Sequence, residues 1–194
     1  VATLEHDHLV TNARFSPDGK WIATISKTSK RSRSRVAVWD VASRKVIAER
    51  EGGATSYGDD LSFSLDSSLL ASSSKEQETR FDVWNPQTGE VVFRLKHPII
   101  GHLVEFSPDG KLLAATSRES IHLCDAETGE LLRTIPQEDA FRGTISFTPT
   151  GDRMATIDAV WDVTTGERIC RFPEDANRWG RPVFTRDGKA IVMS

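Results

Sequence analysis

Short apolar runs separated by turn-forming residues follow one another along almost the whole chain. They lie at 21–25, 36–39 and 45–48 in one part of the sequence, and at 112–116, 121–124 and 131–135 in another. Their length, their β-branched residues and the flanking Pro, Gly and Asp favour strands over helices. Many runs do not alternate strictly, which is typical of strands that are buried on both faces. The pattern therefore predicts an all-β protein built from short strands.

Two short motifs recur in a fixed order. Phe-Ser-Pro-Asp-Gly-Lys occurs at 15–20, with variants at 63–68, 106–111, 147–152 and 184–189, so that the phenylalanines are 37 to 48 residues apart. A second motif follows each of the first four copies at Trp39-Asp40, Trp84-Asn85, Cys124-Asp125 and Trp161-Asp162. A repeat of this length predicts an array of small sheets, each stabilised by its neighbours.

The turns between the runs have a clear chemistry. In Ser-Pro-Asp-Gly, Pro presets φ, Asp accepts bonds from nearby backbone N–H groups, and Gly adopts a positive φ. Thr-Gly-Glu at 88–90, 128–130 and 165–167 closes a second hairpin after the Trp position. Four strands per unit follow from these two hairpins.

The two motifs, repeated in order over essentially the whole chain, resemble the WD40 repeat family. The resemblance implies a β-propeller of four-stranded blades around a central channel. On that basis we expect an outer strand of a preceding blade at 1–8, complete units at 9–51, 52–95, 96–135 and 136–173, and an incomplete fifth unit at 174–194. The chain then reads as one segment of a larger propeller of about seven blades, of a bacterial type, whose open blade edges would associate.

The family also implies a buried hydrogen-bond network of His, Asp, Ser or Thr, and Trp in each blade. His6 and His97 occupy the His position, but Ala54, Glu138 and Asp175 replace it elsewhere. Because Arg33, Glu78, Arg118 and Ala155 stand at the Asp position, we expect an incomplete network in every unit. The residues assigned to the structural repeat are His6, His97, Trp39, Trp84, Trp161, Asp40, Asp125 and Asp162.

Composition narrows the functional class only slightly. The net charge of −3 favours no particular partner, and no apolar run is long enough to span a bilayer. No signal peptide is visible, so we expect a cytoplasmic protein, although the chain lacks a starting Met and reads as part of a longer one. Cys124 and Cys170 are too few for a disulfide framework and are expected to be buried thiols.

The family geometry places the loops before each Phe strand and before each Trp strand on one rim. From Phe to Trp, or to Cys124, the count falls from 24 to 21, 18 and 14 residues, while the other two turns stay constant. Loop variation on a fixed scaffold is typical of a recognition surface, although neutral drift also produces it. The longest loop is basic and contains Lys30, Arg31, Arg33 and Arg35. It suits an acidic or phosphorylated peptide, or it is simply a solvated loop.

Further rim candidates carry aromatic side chains. Trp179 lies between Arg178 and Arg181 in the loop before the fifth Phe strand, and Tyr57 lies in the corresponding loop of the second unit. Such residues either anchor a partner or fill an apolar gap between blades. The acidic overall balance, and the lack of aromatic residues within the basic loop, argue against a nucleic-acid partner.

The sequence offers little catalytic chemistry. His6 and His8 have the spacing of metal ligands but no third ligand nearby, and no phosphate-binding loop or nucleophile motif occurs. We therefore expect no metal and no cofactor. The interpretation is a non-catalytic scaffold for a protein or peptide, which could regulate a catalytic domain elsewhere in a longer chain. The alternative is a propeller hydrolase or lyase, for which only Glu105 and Arg14 stand out as charged residues within the inner strands.

Overall fold

A computed structural model describes residues 3–6, 8–27, 34–52, 60–73, 81–95, 103–117, 119–137, 145–173 and 182–193. These ranges contain eighteen strands and no helix. The first sheet consists of β1 (Leu9–Phe15), β2 (Trp21–Lys27), β3 (Ser34–Asp40) and β4 (Val46–Gly52). The second consists of β5 (Leu61–Phe63), β6 (Leu70–Ser73), β7 (Phe81–Trp84) and β8 (Val91–Arg94).

Two more four-stranded sheets and one pair of strands follow. The third sheet consists of β9 (Val104–Phe106), β10 (Leu112–Thr116), β11 (Ser120–Asp125) and β12 (Leu131–Pro136). The fourth consists of β13 (Ser146–Phe147), β14 (Arg153–Ala155), β15 (Ala159–Asp162) and β16 (Arg168–Arg171). The pair is β17 (Pro182–Phe184) and β18 (Ile191–Met193).

Each four-stranded sheet is a simple antiparallel meander in chain order, which confirms the predicted all-β fold with four WD40-type blades and a partial fifth. The first strands β1, β5 and β9 lie side by side, so we call them and their equivalents the inner strands, and the last strand of each blade the outer strand. A register shift separates the third and outer strands of every complete blade at the Trp position. Residues 3–6 form no strand, and the predicted unit boundaries stay predictions.

The hydrophobic core lies between blades. One cluster joins Ile25 and Val38 of the first blade to Leu61 and Trp84 of the second. A second cluster joins the second and third blades, and a third cluster joins the third and fourth. Trp84 and Ile25 are fully buried in the first of these clusters. Because a single blade is only one sheet thick, its apolar side chains are buried only when another blade covers them.

Close contact between blades also explains one repeated glycine. Gly129, in the hairpin of the third blade, has a φ of +71°, and a Cβ built there would lie 2.4 Å from the Phe93 ring of the second blade. Gly19 has nearly the same φ, +72°, but no atom lies within 4 Å of its added Cβ. A comparison of substitutions at the two glycines therefore distinguishes the cost of backbone strain from the cost of crowding a neighbour.

We expect Gly129→Ala to lower the free energy of unfolding by about 1–3 kcal/mol more than Gly19→Ala, because both lose the glycine conformation but only the first crowds a neighbouring ring. Chemical denaturation of both variants beside the parent chain measures the difference. Equal losses would show that the Phe93 contact does not limit residue 129.

Candidate binding surface

The two ends of the blades differ in their connections. The hairpins after each inner strand and after each third strand lie at one end, and they close with backbone hydrogen bonds such as Gly110 N to Ser107 O at 2.9 Å. The remaining connections lie at the opposite end, which is the predicted rim. The rim connections fall largely outside the described residues. The short one in the fourth blade, around Asp158, is described.

Most of the rim candidates lie in the undescribed part of the chain. This applies to Lys30, Arg31, Arg33, Tyr57, Arg178, Trp179 and Arg181, and also to His97. Arg35 is described, at the start of β3, where its Nε donates to Glu49 Oε2 of β4 at 2.9 Å. The pair is solvent-exposed, and such pairs contribute little to stability. Arg35 as a binding residue stays a prediction.

A buried carboxylate directly before an inner strand joins three blades. Asp60 of the second blade is 5% exposed, and its Oδ1 accepts from Asn12 Nδ2 at 3.2 Å and lies 3.9 Å from Arg14 Nη2, both of the first blade. Its Oδ2 accepts from the backbone N–H of Val104, in the third blade, at 3.3 Å. Sequence reasoning missed this role, although an acid directly before a buried inner strand was a visible signal. The carboxylate is occupied by structural bonding.

A hydroxyl makes a similar link between inner strands. The backbone N–H of Phe106 donates to Ser62 Oγ at 2.9 Å, and both groups are buried. Arg14 is engaged with Asp60, and Glu105 also has an interaction partner. The polar groups on these inner strands therefore hold neighbouring blades together, because buried donors and acceptors need partners.

Each repeat tryptophan is tied to its own blade by a buried hydrogen bond. Its indole Nε1 donates to a hydroxyl on the second strand or, for Thr156, directly after it: Trp39 to Thr24 at 3.0 Å, Trp84 to Ser72 at 3.0 Å, and Trp161 to Thr156 at 3.1 Å. In the third blade Ala115 and Cys124 stand in the register of the hydroxyl and the tryptophan. The hydroxyl and the indole are therefore both absent from the third blade, so that neither is left without the other.

In the fourth blade this network is longer. Thr156 Oγ1 donates to Asp158 Oδ1 at 2.9 Å, and Gln137 Nε2 donates to the same oxygen at 2.8 Å. Gln137, one residue before the predicted histidine position at Glu138, thus supplies the donor expected from a histidine, and Asp158 lies three residues before Trp161 because the connection is short. The expectation of an incomplete network in every unit is wrong for this blade. In the first blade, the His6 ring lies 4.8 Å from the Trp39 ring.

The acidic residues after each tryptophan position cap hairpins. Asp40 Oδ1 accepts from Ser43 N at 2.6 Å, Asp125 Oδ1 from Thr128 N at 2.8 Å, and Asp162 Oδ1 from Thr165 N at 2.7 Å. Hydrogen bonds favour the ionised form and lower the pKa of each carboxyl: those of the Ser43 hydroxyl and N–H for Asp40, and chiefly the Thr128 and Thr165 N–H groups for Asp125 and Asp162. Their repetition therefore reflects turn geometry.

The thiols differ from each other. Cys124 is buried, as expected, and desolvation, with a smaller effect from Asp125, raises its pKa to about 11. Cys170 is exposed on β16, so the expectation of a buried thiol is wrong there.

The described residues contain no group of three or more His, Cys, Asp or Glu side chains that could hold a metal. In the same ranges no helix is long and apolar enough to cross a membrane.

Comparison with known proteins agrees with the blade architecture. Residues 1–40 match the family model "WD domain, G-beta repeat". The chain is 29% identical over 138 residues to small ribosomal subunit protein RACK1y of Oryza sativa subsp. japonica, and 33% identical over 116 residues to eukaryotic translation initiation factor 3 subunit I of Aspergillus terreus. The alignments cover 71% and 58% of this chain, but only 39% and 32% of those relatives. Both relatives are eukaryotic, and neither supports a bacterial type.

We expect Ser72→Ala to lower the free energy of unfolding by about 1–3 kcal/mol, because the fully buried Trp84 indole loses its acceptor. Ser120→Ala is the matched control, since no side-chain hydrogen bond of Ser120 is found within the described ranges. Urea unfolding of both variants tests this. A loss at position 72 no larger than at position 120 would contradict a role for the indole bond.

A further prediction concerns acid stability. The Ser16 hydroxyl and the Lys20 N–H lower the pKa of Asp18 from 3.8 to about 2, and Ser64 and Ser68 lower that of Asp66. The unfolded chain therefore takes up protons near pH 4, while the folded chain resists down to about pH 2. Stability contributed by the Asp18 turn is present above pH 4 and is lost as the pH falls from about 4 to 2, and the lowered pKa of Asp66 acts in the same direction.

Asp18→Asn combined with Asp66→Asn should flatten this decline, because Asn retains an acceptor but does not titrate in this range. Urea midpoints measured from pH 5 to pH 2 test the prediction, with Glu167→Gln as a control outside these turns. An unchanged slope in the double variant would refute it.

Proposed function

We propose that the chain is a non-catalytic scaffold that binds a protein or peptide on the rim formed by the connections before the inner and third strands. The observation that carries the proposal is the difference between the two ends of the blades. Repeated, internally bonded hairpins close one end, whereas the connections at the other end differ in length from blade to blade. Fixed scaffolds with variation confined to one side are typical of binding modules.

The inner strands support the non-catalytic part of the proposal. An enzyme built around the channel needs acids, bases or nucleophiles aimed at a substrate. Here Asp60 and Arg14 are engaged with each other and with neighbouring blades. Ser62 accepts a backbone hydrogen bond from the third blade. These side chains are used to join blades.

The relatives support an assembly role. By their names, one is a ribosomal subunit protein and the other a subunit of a translation initiation factor, so each is part of a larger complex. A cytoplasmic location is in keeping with both names. The basic loop with Lys30, Arg31 and Arg33 makes an acidic or phosphorylated partner segment part of the proposal. Regulation of a catalytic domain in a longer chain rests on the family resemblance alone.

The test compares two sets of charge deletions on opposite ends of the blades. Affinity capture followed by mass spectrometry should recover a defined partner with the parent chain, and Arg31→Ala with Arg33→Ala should reduce its recovery about ten-fold, as expected for lost charge-assisted bonds. Lys20→Ala with Lys111→Ala removes the same charge from the hairpin end and should leave recovery unchanged.

Equal recovery with both double variants would contradict binding through the basic loop. Absence of any reproducible partner for the parent chain would contradict the scaffold function itself. Arg35 is left intact because it pairs with Glu49, so that its removal would mix a structural effect with a binding effect.

A further inference from the structure

A pocket of about 320 Å³ lies at the seam between the third and fourth blades. The third blade contributes Glu119, Pro136 and Gln137, and the fourth contributes Asp158, Trp161, Arg168 and Arg171. Glu119 and Asp158 belong to connections at the rim end, so the pocket opens beside the proposed binding rim. The rest of this seam is filled by an apolar cluster, as in the other seams.

Arg168 breaks the repeat at this pocket. The residue paired with the tryptophan position at the start of the outer strand is Val46 in the first blade, Val91 in the second and Leu131 in the third. Val91 and Leu131 pack against the seam clusters. In the fourth blade Arg168 takes this place opposite Trp161. Val46, Val91 and Leu131 are partly buried, whereas Arg168 is exposed, so its guanidinium is accessible to a ligand.

Two other arginines on the outer strands link one blade to the next. Arg50 lies 5.8 Å from the centre of the Trp84 ring, donates to Gly89 O at 2.9 Å, and pairs with Asp82 Oδ2 at 3.2 Å. Arg133 donates to Thr165 O and to Thr164 O, each at 2.8 Å. Both arginines link consecutive blades and are fully used there.

Arg168 is different. Its guanidinium lies 5.9 Å from the centre of the Trp161 ring, and within the described ranges its side chain makes no hydrogen bond or ion pair. Stacking on an indole orients a guanidinium and leaves its N–H groups available at the edge. Arg171 lines the same pocket and already has an interaction partner, so Arg168 is the guanidinium whose N–H groups have no hydrogen-bond partner among the described residues. This arrangement suits an anion that can accept two parallel hydrogen bonds.

The acidic and amide side chains of the pocket favour one class of anion over another. Asp158 already accepts from Gln137 and Thr156, and with Glu119 it brings two negative charges to the pocket. A doubly charged phosphate would meet these acids at short range, whereas a single carboxylate needs less compensation. Gln137 is 4% exposed, and its Oε1 has no hydrogen-bond partner in the part of the chain that is described. A peptide also supplies backbone N–H donors, which a free inorganic anion lacks.

We propose that this seam pocket binds the carboxylate of an Asp or Glu side chain in a partner peptide, with Arg168 as the residue that receives it. The proposal rests on the proposed scaffold function and specifies one contact of that function: the chemical class of the partner segment is an acidic, unphosphorylated peptide. Trp161 positions Arg168, whose planar guanidinium can by itself donate two parallel hydrogen bonds to the carboxylate.

The probe is a capped pentapeptide, Ac-Gly-Ala-Glu-Ala-Gly-NH2, compared with the same peptide carrying Gln or phosphoserine in the middle. Binding is followed by NMR through the Nε–H resonance of Arg168, which is assigned by its loss in Arg168→Leu. We expect a saturable shift with the Glu peptide and about ten-fold weaker binding of the Gln peptide, because a charge-assisted hydrogen bond is lost. The phosphoserine peptide should also bind more weakly than the Glu peptide.

Arg168→Leu introduces the residue that the third blade has in this register, so it should fold and unfold at the same temperature as the parent chain or higher. It should abolish binding of the Glu peptide, measured for this variant by the backbone amide shifts of Asp158 and Trp161. Arg186→Leu, which removes an exposed arginine from the turn between β17 and β18, is the control and should bind normally.

No saturable shift with the Glu peptide, or equal binding by Arg168→Leu, would overturn the proposal. Tighter binding of the phosphoserine peptide would overturn its choice of anion. The scaffold function fails separately: if Arg168→Leu still recovers the partner but the basic-loop variant does not, the pocket proposal falls and the scaffold stands. If the parent chain recovers no partner but binds the Glu peptide, the scaffold proposal falls instead.

Discussion

Burial of apolar side chains between neighbouring blades is the constraint on which this structure depends. Trp84 is fully buried because Ile25 and Val38 of the preceding blade cover it, and Val104 and Phe106 are buried against the second blade in the same way. A lone four-stranded sheet would leave these residues in water, at roughly 25 cal/mol for each Å² of apolar surface. Each blade is therefore stable only in its row, and its sequence is free to vary wherever the seams are not affected.

Polar groups fix how the blades sit against each other. Apolar contact between blades is non-directional. Asp60 bonds to both the first and the third blade, and Arg133 donates to two carbonyls of the next blade. Each of these residues therefore requires one geometry between the blades. Such charged groups thus help to fix the arrangement of neighbouring blades. The same residues, read as isolated charges in a channel, would suggest a catalytic site.

The repeated turns and the strand order could be predicted from the sequence, because Pro, Asp and Gly act locally and the motif recurs at a steady period. The roles of Asp60 and Gln137 could not. Asp60 is bonded to Asn12, 48 positions earlier, and to Val104, 44 positions later, and Gln137 meets Asp158 at a separation of 21. Such partners depend on how one blade faces the next, which a motif within one unit does not encode. The basic-loop and Trp179 candidates lie outside the described residues, and they remain predictions.

Most departures from the repeat are compensated by a second change or by a residue of similar function. The one that is not compensated indicates where a ligand binds. Ala115 and Cys124 replace a hydroxyl and an indole together, so neither leaves an unpaired group. Glu138 stands at the histidine position of the fourth unit, and the neighbouring Gln137 supplies the donor to Asp158. Ser67 replaces the turn glycine and adopts the same left-handed conformation, at a φ of 64°. Arg168 has no such counterpart: it displaces an aliphatic residue, contacts only the Trp161 ring among the described interactions, and borders a pocket. Because Arg168 is exposed, its charge costs the fold little, and its position over the Trp161 ring and beside the pocket makes it available to a ligand.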